Sequence, residues 1–150
     1  MPVKLTLTGD RELRAKLSDN ASIAGPAAEM LRRIGSDAER VAQSGAPDSI
    51  ARTIHGTARG LQASVTSLHP AALPIEVGRR PGRPMPPLGP IGAWALRHGI
   101  QAHPYVLARA IARRGVRGRF FLRAARQHIE NRLPRYLDDF AKDVQRRWDS

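Results

Sequence analysis

Five histidines, one pair of adjacent aspartates and a dense run of arginines are the residues with chemistry to offer. His55, His69, His98, His103 and His128 fall at no spacing that closes a metal shell: HExxH and HxH patterns are absent, and carboxylates near them in sequence are few. His98 and His103 flank Gly99 in what reads as a helix-to-helix turn, where a solvated or helix-capping role is expected. Asp138 and Asp139 are neighbours in sequence and so project from different helix faces, which makes them solvated surface rather than an acid/base pair. The sequence contains no GxSxG elbow, Walker A loop, GxGxxG turn or EF-hand. Gly78-Arg79-Arg80-Pro81-Gly82 looks like a phosphate cradle, but proline breaks the run of free amides that such a nest requires. With no cysteine, thiolate nucleophiles, Cys-ligated zinc, iron–sulfur clusters and CxxC redox pairs are excluded. These residues point away from an enzyme and call for no cofactor and no metal.

The arginines remain. Between positions 109 and 126 lie Arg109, Arg113, Arg114, Arg117, Arg119, Arg123 and Arg126, without a single acid. Phosphates seek such a footprint, yet few aromatics are available to stack bases, and no helix-turn-helix, RRM, KH or zinc-finger pattern is present. Two partners are compatible with the patch: nucleic acid bound without sequence readout, or an acidic surface on a neighbouring subunit. The whole chain has 25 Lys and Arg against 13 Asp and Glu, a formal charge of +12. Residues 1–75 hold nine basic and seven acidic side chains, and residues 76–150 hold sixteen and six. Of the cations 22 are Arg, which a GC-rich coding sequence explains as readily as a need for guanidinium geometry.

A length of 150 residues suits a single domain spanning 1–150, large enough to bury about two thirds of its unfolded-state surface without disulfides. The longest apolar runs are far short of the roughly 20 residues that span a bilayer, and Met1–Leu7 lacks the pattern of a secretory signal. A soluble protein with no membrane partner is expected.

The elements that must position the arginines follow from periodicity. Val3, Leu5 and Leu7 alternate with Lys4, Thr6 and Thr8, the period of a half-buried strand. Asp10 is placed to cap a short helix over Arg11–Leu17, and 18–25 reads as a loop. From Pro26 onward Ala27, Leu31, Ile34, Ala38 and Val41 mark an amphipathic helix ending near Gly45. Ile50–Thr57 and Leu61–Leu68 read as a hairpin, although 49–54 also suits one helical turn, and Ala72–Val77 reads as a further strand. Five prolines and three glycines between Gly78 and Pro90 demand an extended loop or arm. A short helix with Ile91, Trp94 and Ala95 on one face stops at Gly99. Another opens at Pro104, turns Leu107, Ala108 and Ile111 inward and stops at Gly115. In the final helical segment, 119–148, Phe121, Ala125, Ile129, Leu133 and Tyr136 share a face that Phe140, Val144 and Trp148 continue, with a kink or break expected at Pro134. The fold class is therefore α+β: a small, mainly antiparallel sheet with the N-terminal amphipathic helix and the long C-terminal helix packed on it.

In this order the elements resemble the minor tail, or tail-completion, protein family of the neck of long-tailed bacteriophages. Ala46-Pro47 followed by Ser49-Ile50-Ala51-Arg52-Thr53-Ile54 looks like that family's Ala-Pro to Ser-Ile segment, and Ile75-Glu76-Val77-Gly78-Arg79 with Pro81-Gly82 like its Val-Glu-Phe-Gly-Thr strand end and loop. Pro86-Pro87-Leu88 with Trp94 is similar to its proline-to-tryptophan connection. Ala110-Ile111-Ala112-Arg113-Arg114-Gly115 with Phe120-Phe121-Leu122-Arg123-Ala124-Ala125 is similar to its closing motif. The family's Thr-Gly pair is missing near Asp48-Ser49, and Val77 and Arg79 replace an aromatic and a threonine. The resemblance implies a non-catalytic virion protein, assembled in the host cytoplasm into a homo-oligomeric ring at the head–tail junction, with a hexamer favoured. Adaptor or stopper proteins, the tail tube and passing DNA would be its partners. The terminator and adaptor layers of the same neck share this location, and a small basic nucleic-acid-binding protein is the alternative class. Arg79, Arg80, Pro81, Arg83, Pro84, Pro86 and Pro87 are the expected inter-subunit arm, proline lowering the entropy lost when it docks.

Overall fold

Backbone chemistry decides where each element starts and stops in the computed structural model, which describes residues 3–8 and 21–148. The elements in chain order are β1 (Val3–Thr8), α1 (Ala21–Gly45), α2 (Asp48–Ala51), β2 (Ile54–Arg59), β3 (Gln62–Ser67), α3 (Ala72–Val77), β4 (Gly78–Arg79), α4 (Leu88–Arg97), α5 (Pro104–Arg114), β5 (Val116–Arg117) and α6 (Phe121–Trp148). The fold is α+β, with six helices, a long C-terminal helix and two small antiparallel sheets among the described residues. The chain divides into two compact units, residues 1–72 with 120–150, and residues 73–119.

In the first unit three strands run in the order β1-β3-β2, and every pairing is antiparallel. Alternation in β3 buries Ala63, Val65 and Ser67, with Ile54 of β2 opposite Ser67. The register sets positions 3, 5 and 7 of β1 against that buried row. The opposite face is polar, and Thr57 and Ser64 are hydrogen-bonded across it at 2.9 Å. Helix α1 comes unusually close to β2, because both chains are glycine where they meet: a Cβ on Gly56 would lie 2.3 Å from the Gly35 carbonyl oxygen. Pro26, Ala27, Ile34, Gly35, Ala38 and Ala42 are buried on α1, and Phe121, Leu122, Ala125, Ile129 and Tyr136 on α6. The two helices are antiparallel: Gly45 lies against Phe121, Asp37 accepts from Tyr136, and Gly25 lies beside Arg147.

Four expectations are corrected. The segment Ala72–Val77 is a helix, not a strand; Pro74 has no N–H for a sheet ladder but is tolerated in a helix's first turn. The first hairpin strand begins at Ile54, because Asp48–Ala51 closes a helical turn in which Ile50 and Ala51 donate to the Pro47 carbonyl. Helix α1 starts at Ala21, so Pro26 lies inside it and 21–25 are not a loop; the helix over Arg11–Leu17 falls outside the described residues. The main packing of α6 is against α1 rather than on the sheet, and the helix runs unbroken through Pro134.

Leu133 also leaves the predicted stripe and is exposed. Each i+4 step overshoots a full turn by about 40°, so three such steps from Phe121 carry position 133 off the buried line, and Tyr136 returns to it.

In the second unit α4 packs on α5. Helix α4 ends in a Schellman motif: Gly99 at φ 67° places the Ile100 amide 2.9 Å from the Ala95 carbonyl and its own amide 3.2 Å from that of Leu96. His103 caps α5 by accepting from the Tyr105 amide at 3.2 Å, and Pro104 follows at the first helical position. Both histidines therefore take the capping part read from the sequence, since His98 Nδ1 also sits 2.9 Å from the Trp94 carbonyl oxygen.

Candidate functional site

The proline-rich segment is anchored at its base and open beyond it. Gly78 and Arg79 pair with Arg117 and Val116 in the two-stranded sheet, and the Gly82 amide donates to the Ala112 carbonyl of α5 at 2.8 Å. Three glycines permit this crossing. A Cβ on Gly78 would meet the Val116 carbonyl at 2.4 Å, one on Gly115 the Arg79 carbonyl at 2.3 Å, and one on Gly118 the Glu76 carbonyl at 2.5 Å. The Arg79 guanidinium turns back to donate to the Pro84 carbonyl, which closes a loop over Pro81-Gly82-Arg83. Residues 80–87 lack regular structure and are largely exposed, and Pro87 has the φ −57° and ψ 134° of an extended proline. Of the seven residues expected to form an arm, Arg79 therefore belongs to the anchor, while Arg80, Pro81, Arg83, Pro84, Pro86 and Pro87 lie in the irregular segment.

The seven arginines between 109 and 126 do not share one unit. Arg109, Arg113 and Arg114 lie on α5, Arg117 on β5 and Arg119 just beyond it, all exposed and all in the second unit. Arg123 and Arg126 belong to the first unit. Arg123 stacks on the Phe120 ring at 4.4 Å, and Arg126 pairs with Glu130 at 2.7 Å. The nine arginines of residues 73–119 face a single acid, Glu76, which is buried. That unit has a formal charge of +8; the rest of the chain, with sixteen cations and twelve acids, has +4. Ion pairs at Glu29, Asp37, Glu130, Asp138 and Asp143 lie in the first unit.

A second property was not legible from spacing. Only Glu76, Ala95 and Ala108 are buried in the second unit, whereas Leu73, Val77, Met85, Leu88, Trp94, Leu96, Tyr105, Val106 and Val116 are exposed. Leu96 is 82% accessible. The exposed side of Trp94 continues into His98, whose ring stacks on it at 4.6 Å. Alanine as the only fully buried apolar residue of α4 and α5 signals helices that touch closely but enclose little: Ile91, Leu107 and Ile111 are only half-buried, and Leu88, Trp94, Leu96, Tyr105 and Val106 are left outside.

Elsewhere the described residues present few further candidates for a site. No group of three or more metal-ligating side chains occurs among them, and none of their helices is long and apolar enough to cross a membrane. An open cleft of about 290 Å³ is lined by Pro26, Glu29, Asp143, Arg146 and Arg147, but its carboxylates are already engaged by arginines. Compared with protein-family models, curated proteins and solved structures, the chain matches none.

Proposed function

We propose that this protein is a structural subunit of the neck of a long-tailed bacteriophage. Copies form a closed ring, a hexamer, at the head–tail junction, where the ring completes the tail and joins it to the head. The observation that carries this reading is the apolar surface of residues 73–119, where Leu, Val, Met, Trp and Tyr side chains are exposed and the only buried apolar residues are two alanines, Ala95 and Ala108. Exposed apolar surface of this kind marks a site of association, and aromatics, Met and Arg are the side chains that protein interfaces favour. The order of motifs running from Pro26 to the C-terminus supplies the location.

A heterologous contact, in which one patch of each copy meets a different patch of the next, closes into such a ring. The exposed segment from Arg80 to Pro87 supplies an arm whose conformation is largely set before docking, so little entropy is lost on contact. Adaptor or stopper proteins above and the tail tube below are the partners of this arrangement, and the virion is the place where it acts. Mass photometry with negative-stain microscopy tests it, on the protein alone and mixed with heads and tails of the source particle. Rings, or monomers that become bound at the neck, are expected. A monomer that ignores both heads and tails overturns the reading.

A further inference from the structure

Charge is segregated along this chain in a way that coding bias does not explain. Both units draw on the same arginine-rich composition, yet the first has twelve acids and the second has one. Were acids spread evenly, residues 73–119 would have several on their surface; they have none, because Glu76 is buried. The cations are exposed on nearly every part of the unit: Arg80 and Arg83 in the proline-rich segment, Arg97 at the end of α4, Arg109, Arg113 and Arg114 on α5, Arg117 on β5 and Arg119 after it. Three of them, Arg97, Arg113 and Arg114, also complement a helix C-terminus. That local effect accounts for neither the others nor the missing acids.

We infer that residues 73–119 form a module that binds the phosphate backbone of duplex DNA without reading its sequence. A protein-docking face needs charge on one side only, matched to particular partner atoms. Exclusion of acid from the surface of a whole unit instead produces a positive field with no repulsive side, which suits a long polyanion met in any register. Arginine keeps its charge at every relevant pH and bonds phosphate oxygens in a bidentate fork. Arg109 and Arg113 lie one turn apart on α5, about 6 Å along the helix, and both are exposed on neighbouring turns of one element. The unit lacks an element that fits a groove-reading motif, so affinity comes from counterion release and falls steeply with salt. This inference stands on charge placement and does not rest on ring formation; the apolar side chains of the same unit are left for protein neighbours.

The test is fluorescence anisotropy of a short labelled duplex of mixed sequence, titrated with the full-length protein over a salt series. Two triple variants remove three charges each from the second unit: R109Q/R113Q/R114Q, and R80Q/R83Q/R119Q, whose sites lie outside any helix, so that one set remains informative if α5 is weakened. A matched variant, R52Q/R59Q/R135Q, removes three exposed charges from the first unit. Circular dichroism melting confirms that each is folded. Expected is a log–log salt slope that becomes shallower by about 2–3 in either second-unit triple, with affinity lowered at least about tenfold, while the matched variant stays within about 1 of the parent slope. Equal losses in all three variants would reduce the effect to net charge and overturn the inference. So would absence of binding at low salt, or displacement of the duplex by poly-L-glutamate as readily as by unlabelled DNA, which would favour an acidic protein partner.

Discussion

Asp37 and Tyr136 are ninety-nine positions apart, yet the tyrosine hydroxyl donates to the carboxylate where α1 crosses α6. Burial, and then the hydrogen bond to Asp37, push the Tyr136 hydroxyl from 10.0 up to about 12. The same bond, with Arg40 beside it, holds the Asp37 carboxyl below its usual value of 3.8 against a counteracting effect of burial. The two shifts act at opposite ends of the pH scale. A raised tyrosine contributes stability that is complete below pH 10 and is lost as pH rises toward about 12; a lowered aspartate contributes stability present above pH 3.8 and lost as pH falls through its folded value. Tyr136→Phe should abolish the phenolate absorbance change centred near pH 12 and lower stability by about 1–3 kcal/mol in urea melts, as expected for a bond to a charged group. Gly56 offers a second residue-scale test. Gly56→Ala drives a methyl into the Gly35 carbonyl and should cost about 1–3 kcal/mol by forcing helix and strand apart, read as a lowered thermal midpoint. The capping histidines were legible from the glycine between them, because a turn's chemistry is local. The Asp37–Tyr136 bond was not, because no local pattern tells which distant side chain an aspartate will meet.

Among elements, β2 is an edge strand of the three-stranded sheet, and its outer polar groups are met by side chains rather than by another strand. Glu39 accepts from the Gly56 amide at 2.8 Å, and Gln43, one turn along α1, donates to the Ile54 carbonyl at 3.1 Å and to Glu39 at 2.9 Å. Such cover prevents an edge from templating aggregation. Glu39→Ala should lower stability by about 1–3 kcal/mol, because it leaves a partly buried amide unpaired, and should increase light scattering on heating. Glu39→Gln keeps an acceptor and should lose less of both. Long helices with repeated apolar spacing were readable in outline, as α1 and α6 attest. The element type was misread where periodicity is short: six residues from Ala72 to Val77 fit either period until the proline is weighed.

At the scale of the molecule, one unit has a layered core and a formal charge of +4, while the other has little core, exposed apolar side chains and a formal charge of +8. Leu96→Glu places a charge on the most exposed large apolar side chain of that unit. It should leave the melting curve of the free protein unchanged while abolishing ring formation or attachment to particles, both visible by mass photometry. Replacing Met85-Pro86-Pro87 with Gly-Ser-Gly spares the anchoring bonds at Gly78, Arg79 and Gly82 and should weaken assembly without unfolding the monomer. What the sequence by itself determined is local and compositional: the α+β class, the helix caps at Gly99, His103 and Gly115, the irregular proline segment and the basic second half. Each depends on propensities, periods and charge counts carried within a few neighbouring residues. Only the tertiary structure decided that the arginine run is divided between two units, that α6 packs chiefly on α1, and that nine large apolar residues of 73–119, Trp94 and Leu96 among them, are exposed. Those outcomes depend on which surfaces pack together, and burial is a property of pairs of distant segments.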